Sequence, residues 1–241
     1  MSRAVPRVRL WSERAALLAI LCVLLAPVAW LISVAYKPAR DIFSFPPSLG
    51  FTPTLANFDK VWTIFDIPLI TFNSVVIAGG STVLSLLLGI PAGYALARSG
   101  WRFAPGIAYA FLVIRMVPPT ATLIPFYLMM RDLGLLGGYL SVILINSVFN
   151  AAFVVWMMYT YFRSLPPELE EAALSDGCTQ AGAFLRVALP LVVPGIIASA
   201  MFCIILAWNN FLFPAFLTIA DTKPLSVAIL SAYGTKDITW G

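Results

Sequence analysis

Residues 165–177 read LPPELEEAALSDG and form one long polar interval between strongly apolar runs, continuing to Pro190. The two prolines at its start suit the first turn of a helix, where a missing N–H costs nothing. The glutamates that follow are favoured there by the helix dipole. Gly177 predicts the end of this helix, because glycine adopts the left-handed C′ conformation without penalty. Thr179 can cap a second short helix, which Pro190 would close. The interval therefore predicts two short helices joined by a sharp turn.

Composition sets the class of the protein. Of the 241 residues, 61% are hydrophobic and 11% are charged, His is absent, and the mean hydropathy is +0.92. A soluble globular domain is nearer a quarter charged, so the composition predicts a polytopic membrane protein. The net charge of +4 needs no nucleic-acid partner, because arginines scattered at the edges of apolar runs account for it. The three cysteines show neither a disulfide framework nor a metal-site spacing.

Five apolar runs are long enough to cross a bilayer, which takes about 20 helical residues. The predicted spans are 15–36, 72–97, 106–130, 139–162 and 194–216. A basic segment precedes the first run, but the run is too long for a signal peptide and no small-residue cleavage site follows it, so an uncleaved span is predicted. The basic N-terminus and the polar interval are both expected on the cytoplasmic side.

The predicted spans divide the chain into two segments. Residues 1–70 would hold an N-terminal cytoplasmic segment, the first span and an external loop, and residues 71–241 the helix-bundle core with its polar loop at about 163–190. In the second span, Gly89 and Gly93 lie four residues apart and predict a small face for close helix packing. Pro91 between them predicts a kink.

The polar interval resembles the EAA loop of ABC-importer permeases. Glu171-Ala172-Ala173 is followed by Gly177 after three residues and by Val187-x-Leu189-Pro190 after nine more. In that family the first short helix is a coupling helix that docks on a cytoplasmic ATPase. The resemblance assigns ATPase coupling to Glu170, Glu171, Ala172, Ala173, Asp176 and Gly177. The alternative is that these glutamates form a solvated helix face between two spans.

Motifs elsewhere in the chain are similar to the maltose-type carbohydrate importers, and to the smaller, six-span member of their permease pair. These motifs are Asn73-Ser74, Tyr94-Ala95-Leu96-Ala97-Arg98, Pro118-Pro119, Ile124-Pro125 and Trp208-Asn209-Asn210-Phe211. The resemblance implies an all-α bundle with the type I importer permease fold. Five of the usual six spans are expected, with the C-terminal span missing after Trp240-Gly241 as in a fragment.

The same resemblance implies the partners and the location. They are a homologous second permease, an ATP-binding cassette ATPase dimer and an external solute-binding protein, in a prokaryotic inner membrane. ATP and Mg²⁺ would belong to the ATPase, with no cofactor in this chain. The chain has no GxxxxGK[ST] phosphate loop and is not expected to be an enzyme.

The implied function is import of a sugar or a related polyhydroxylated solute. Other small solutes, such as glycerol or a glycerophosphodiester, are the alternative within the same class. A self-powered secondary transporter is a further alternative. It is disfavoured because the predicted spans contain no Asp, Glu or His.

Five residues are candidates for a solute pathway. Arg115 would lie about 13 Å into the third span, near the midplane of the membrane. An arginine at that depth marks a functional cavity, unless carbonyls freed near Pro118-Pro119 satisfy it. Amides hydrogen-bond both ways and aromatic faces stack on sugars, so the other candidates are Asn150, Trp208, Asn209 and Asn210. Membrane asparagines also bond neighbouring helices, and this interpretation is preferred for Asn146.

Overall fold

The computed structural model describes residues 7–42, 44, 45 and 50–232. Residues 1–6, 43, 46–49 and 233–241 lie outside the described part, including Trp240-Gly241 and the end of the predicted core segment. Helices supply the regular structure of the described residues, which contain no strand.

Twelve helices follow one another through the described residues. They are α1 (Arg7–Ala35), α2 (Ala39–Ile42), α3 (Ala56–Ile64), α4 (Ile67–Arg98), α5 (Ala104–Arg115), α6 (Pro119–Asp132), α7 (Tyr139–Ser164), α8 (Glu168–Ser175), α9 (Gln180–Leu191), α10 (Val193–Trp208), α11 (Leu212–Leu217) and α12 (Leu225–Ala232). One turn of α9, Phe184–Ala188, is π-helical. A short 3₁₀ turn at Ala220–Thr222 precedes α12.

Three described helices are individually long and apolar enough to cross a membrane. They are Glu13–Ala35 within α1, α4 and α7, with mean hydropathies of 2.7, 2.0 and 1.9. Two bent pairs also qualify when each pair is taken as one span: α5 with α6, bent by 89°, and α9 with α10, bent by 73°. The described helices therefore give the predicted number of five spans only if each bent pair crosses the membrane as one span.

The third predicted span is not one helix. Residues 106–130 were expected to be continuous, but α5 ends at Arg115 and α6 begins at Pro119 after an abrupt bend. Pro118 has an extended backbone, with ψ of 128°. A proline disfavours the helical conformation of the residue before it, so the adjacent prolines break the helix here.

The fifth predicted span, 194–216, is also divided. The helix α10 ends at Trp208 and α11 begins at Leu212. Pro214 has no N–H to offer the carbonyl of Asn210, which instead accepts a 2.9 Å hydrogen bond from the hydroxyl of Ser226. The helix α9 continues one residue past Pro190, to Leu191, before the chain bends.

The described residues divide into two compact units, the residues before Ile67 and the unit Ile67–Ser231. In the first unit, the side-chain amide of Asn57 donates to the carbonyls of Ala35 (2.9 Å) and Lys37 (2.8 Å). These bonds hold α3 against the end of α1. The apolar part of α1 has no buried residue.

The second unit is built on close contact between α4 and α7. A Cβ added to Gly89 would lie 2.6 Å from the Cβ of Val154. At Gly93 it would lie 2.9 Å from both the carbonyl oxygen of Val155 and the backbone nitrogen of Tyr159. The small face predicted from the glycine spacing is therefore confirmed, and α4 continues as a helix through Pro91.

Two apolar clusters fill this unit. One lies around the last turns of α7 and comprises Ala97, Val154, Met158, Phe162, Ala188, Val192 and Cys203. The other lies around the first turns of α7 and comprises Ile77, Met130, Val142, Ile145, Phe213 and Leu217. The first cluster supports the polar loop, and residues next to the second surround a cavity.

Candidate functional site

The polar loop folds as two short helices around a glycine turn. Gly177 has a φ of 90°, the left-handed conformation expected for it. Its N–H donates to the carbonyl of Leu174, and the N–H of Cys178 donates to the carbonyl of Ala173, each at 3.0 Å. This pair of bonds is a Schellman motif, which satisfies the last carbonyls of α8.

The second helix of the loop starts as the sequence predicts. The side chain of Thr179 accepts a 3.1 Å hydrogen bond from the N–H of Gly182 and so caps α9. The prediction of two short helices joined by a sharp turn is therefore confirmed. The first helix begins after the two prolines, Gly177 forms the turn, and Thr179 caps the second helix.

The residues assigned to coupling do not all face the same way. Glu171, Ala172, Asp176 and Gly177 are exposed, and Ala173 is half-buried. Glu170 differs from them because it is buried, with 7% of its surface exposed. One face of α8 is thus available to a partner, while Glu170 faces the rest of the chain.

The carboxylate of Glu170 is held by two residues near the end of α4. Its Oε1 accepts hydrogen bonds from Nε (2.9 Å) and Nη2 (2.7 Å) of Arg98. Its Oε2 accepts from the hydroxyl of Tyr94 at 2.6 Å. The same Arg98 nitrogen Nη2 donates to the carbonyl of Leu165 at 3.3 Å, just before α8. Charged hydrogen bonds in a poorly solvated site are strong, so this network fixes α8 to α4.

The ring of Tyr94 joins further elements to the same point. Its centroid lies 4.5 Å from that of Phe184 in α9 and 5.2 Å from that of Phe162 in α7. A single side chain of α4 thus contacts α7 and α9 through its ring and α8 through its hydroxyl. The loop is tied to the bundle at both of its helices.

A cavity of about 140 Å³ lies elsewhere in the same unit, between α5, α7, α10 and α11. Its polar and aromatic lining comprises Arg115, Asn146, Phe149, Asn150, Asn210 and Phe213. Only some of these residues were predicted to lie together, because the spans 106–130 and 194–216 were each expected to be one straight helix.

Hydrogen bonds cross this cavity region between elements. The amide of Asn210 donates to Oδ1 of Asn146 at 2.6 Å, and the amide of Asn150 donates to the carbonyl of Cys203 at 3.4 Å. The guanidinium carbon of Arg115 lies 5.5 Å from the ring centroid of Phe153. Asn146 thus bonds the segment between α10 and α11, in keeping with the structural role preferred from the sequence, and it also lines the cavity.

Three of the five pathway candidates, Arg115, Asn150 and Asn210, meet at this cavity. The other two are not among its lining residues. Asn209 is exposed and donates to the carbonyl of Ile205 in its own helix at 2.7 Å, and the exposed side chain of Trp208 precedes it.

The roles of Tyr94 and Arg98 were not predicted from the sequence. These two residues are four positions apart, so they lie on one helical face and can reach one carboxylate. Phe149 and Phe213, whose rings stack with centroids 5.7 Å apart, were not predicted as lining residues either. In the sequence, Phe149 lies between Asn146 and Asn150, and this position could have indicated that its ring also lines the cavity.

The family model for the inner membrane component of binding-protein-dependent transport systems matches residues 85–241. This range includes both the polar loop and all the residues that line the cavity. It covers well over half of the chain.

Curated relatives match over most of their length. The probable ABC transporter permease protein y4oR of Sinorhizobium fredii is 36% identical, over 89% of this chain and 78% of the relative. The diacetylchitobiose uptake system permease protein DasC of Streptomyces coelicolor is 31% identical, over 90% and 80%.

A solved structure shares the fold. It is the crystal structure of a bacterial ABC transporter involved in the import of the acidic polysaccharide alginate, with a TM-score of 0.76 and 23% identity over 96% of this chain and 83% of that chain. The helix bundle therefore has the fold of an ABC-importer permease. The chain belongs to the family of binding-protein-dependent transport system inner membrane components.

Proposed function

We propose that this chain is the permease subunit through which an ATP-driven importer moves a sugar or a related polyhydroxylated solute. Family membership supports the permease role. The carbohydrate class is supported by the relatives, one named for diacetylchitobiose uptake and one, by its structure, an importer of alginate. Amide and aromatic groups at the cavity suit a hydroxylated solute.

The geometry of α8 is the observation that carries the coupling role. The helix presents exposed Glu171 and Ala172 beside a glycine turn, while buried Glu170 ties it to α4. A partner ATPase would dock on the exposed side with Ala173, Asp176 and Gly177 near the contact. Glu170 then acts as a positioning residue that transmits movement to the bundle.

The proposed solute pathway passes the cavity lined by Arg115, Asn150 and Asn210. Trp208 and Asn209 lie on the exposed surface at the end of α10, where they would meet the solute alongside the second permease. Asn146 belongs to the pathway as well, because it shares the cavity and bonds Asn210.

The partners follow from the family. They are a homologous permease, an ATPase dimer that binds ATP and Mg²⁺, and an external solute-binding protein. The chain itself would carry no cofactor and catalyse no reaction. The N-terminus and α8 would lie in the cytoplasm, because the basic N-terminal segment and the ATPase-docking helix belong on the same side.

The coupling proposal is tested by blocking the exposed face of α8. Ala172→Trp adds bulk at an exposed position, so the helix should still form while the ATPase fails to dock. Ala181→Trp, at an exposed position of α9, is the matched control. The measurements are ATPase co-purification and solute-stimulated ATP hydrolysis in the reconstituted importer. Equal values for both variants would reject α8 as the docking helix.

The solute class is tested through the cognate binding protein. Calorimetric titration with diacetylchitobiose, trehalose, D-glucuronate, glycerol and a glycerophosphodiester separates the sugar proposal, neutral or acidic, from the smaller solutes. Binding of only glycerol or its phosphodiester would replace the carbohydrate proposal and leave the coupling proposal in place.

A further inference from the structure

Two buried hydrogen-bond donors at the cavity have no partner. Among the described residues, the buried side-chain nitrogen and oxygen atoms without a hydrogen-bond partner are Nη1 of Arg115 and Nδ2 of Asn146. Both residues line the same cavity, and Asn146 is only 3% exposed. Buried donors are almost always satisfied, so two at one cavity indicate a missing acceptor.

The positive charge of Arg115 is also unmatched. No described residue forms an ion pair with Arg115, whereas Arg98 and Arg131 each pair with a carboxylate. The ring of Phe153 offers Arg115 only a weak cation–π contact. An arginine within an apolar span is costly unless an anion, a carbonyl or water meets it.

The unpaired atoms define the chemistry of the missing partner. Both are donors, and Oδ1 of Asn146 already accepts from Asn210. The missing group must therefore supply hydrogen-bond acceptors, and the positive charge of Arg115 favours acceptors that carry a negative charge. Guanidinium binds carboxylate, phosphate and sulfonate groups through paired hydrogen bonds, which a neutral hydroxyl cannot match.

We infer that this cavity binds the oxyanion group of an acidic sugar, with Arg115 and Asn146 as its donors. The inference rests on the proposed function and specifies its solute. The volume of about 140 Å³ is close to that of the engineered cavity of roughly 150 Å³ that holds benzene, so there is room for the oxyanion group and part of one sugar ring. The stacked rings of Phe149 and Phe213 supply an apolar wall for the C–H face of that ring.

The test uses the complete importer, with its partner subunits, in lipid nanodiscs. Thermal unfolding is measured against the concentration of three probes: D-glucuronate, its neutral counterpart D-glucose, and inorganic sulfate. A ligand that binds only the folded complex raises the unfolding temperature with concentration, which yields an apparent Kd. The expected result is stabilisation by D-glucuronate at concentrations where D-glucose and sulfate have no effect.

Variants assign the effect to the cavity. Arg115→Met keeps the length of the side chain and removes its charge, and should weaken D-glucuronate binding roughly 10- to 100-fold, the loss of a charge-assisted hydrogen bond. Asn146→Asp keeps the Oδ1 acceptor for Asn210 but replaces the unpaired donor by a carboxylate oxygen. It should weaken D-glucuronate binding as well. Arg131→Met removes an exposed, paired arginine and is the control with unchanged binding.

Four results would overturn the inference. Equal stabilisation by D-glucose would mean a neutral sugar site, and equal stabilisation by sulfate would mean an anion site unrelated to a solute. Binding that survives both cavity variants would mean that the acidic group binds at another site. Absence of stabilisation by D-glucuronate would mean that the importer does not bind this acidic sugar. The proposed function fails separately, through the ATPase-docking and binding-protein measurements, so the two failures remain distinguishable. If Arg115→Met does not assemble, Asn146→Asp decides the result alone.

Discussion

Replacing Glu170 by alanine should release α8 from α4 while the apolar bundle stays folded. The change removes the acceptor of two bonds from Arg98 and one from Tyr94. Removing one member of a buried ion pair costs roughly 3–5 kcal/mol, because the other charge remains buried and unpaired. The side chain of Arg98 keeps 20% of its surface exposed, so the lower end, about 3 kcal/mol, is expected.

This magnitude predicts a measurable opening of the helix. Since 1.36 kcal/mol corresponds to a factor of ten, the population of detached α8 should rise on the order of a hundredfold. Hydrogen exchange of the backbone amides of residues 168–175, in the assembled importer, measures this directly. Transport per ATP hydrolysed should fall as well, because a detached helix moves without the bundle.

Glu168→Ala is the matched control for Glu170→Ala. Glu168 lies in the same first turn, but it is exposed and should lose only a helix-dipole contribution of about 0.3–1 kcal/mol. The exchanged pair Arg98→Glu with Glu170→Arg should recover part of the protection, since it restores opposite charges. Equal exchange rates for Glu168→Ala and Glu170→Ala would refute the view that Glu170 anchors α8.

Two further predictions concern helix packing and orientation. Gly93→Ala should destabilise the detergent-solubilised chain by about 1–3 kcal/mol, because backbone atoms of α7 lie 2.9 Å from the new methyl group. Gly79→Ala in the same helix has nothing within 4 Å and should be neutral or slightly stabilising, so equal unfolding midpoints would contradict the close contact. In a variant without the native loop cysteine, Ser175→Cys should resist an impermeant thiol reagent in intact cells, whereas Thr52→Cys should react. Labelling of the former from outside would reverse the orientation.

The loop was predictable because its signals are local. A helix start, a left-handed glycine and a capping threonine each depend on a few neighbouring residues, and Gly177 and Thr179 adopt the geometry expected of them. The close contact at Gly89 and Gly93 was predictable for a similar reason, since small residues four apart leave one face of a helix without side chains.

The breaks in the spans were not predicted, because an apolar run has the same composition whether it is straight or bent. Pro118-Pro119 was expected to free backbone carbonyls near Arg115, but not to divide the span into two helices. The carbonyl of Asn210, just after α10, is satisfied by Ser226, a contact with a residue 16 positions later. Such contacts are set by tertiary packing, which a hydropathy pattern does not contain.

The inward direction of Glu170 also depends on distant residues. Its partner Arg98 lies 72 positions earlier in the chain. Local rules place three glutamates in the first turn of α8 as equals, and the helix dipole favours all three. Only packing against the end of α4 separates the buried Glu170 from its exposed neighbours, so the sequence could predict the helix α8 but not the residue that anchors it.

Under the proposed function, this difference between neighbouring glutamates determines how movement of α8 reaches the helix bundle. An ATPase can shift the permease between two states only by the free energy that it applies differently to them. The helix α8 has eight residues and no core of its own, so that free energy reaches the bundle through its attachments. Glu170 attaches it to α4, and α4 touches the backbone of α7 at Gly93. Since α7 carries cavity residues, Glu170 would transmit what the exposed face of α8 receives, and a helix with only solvated glutamates would lack this direct attachment to α4.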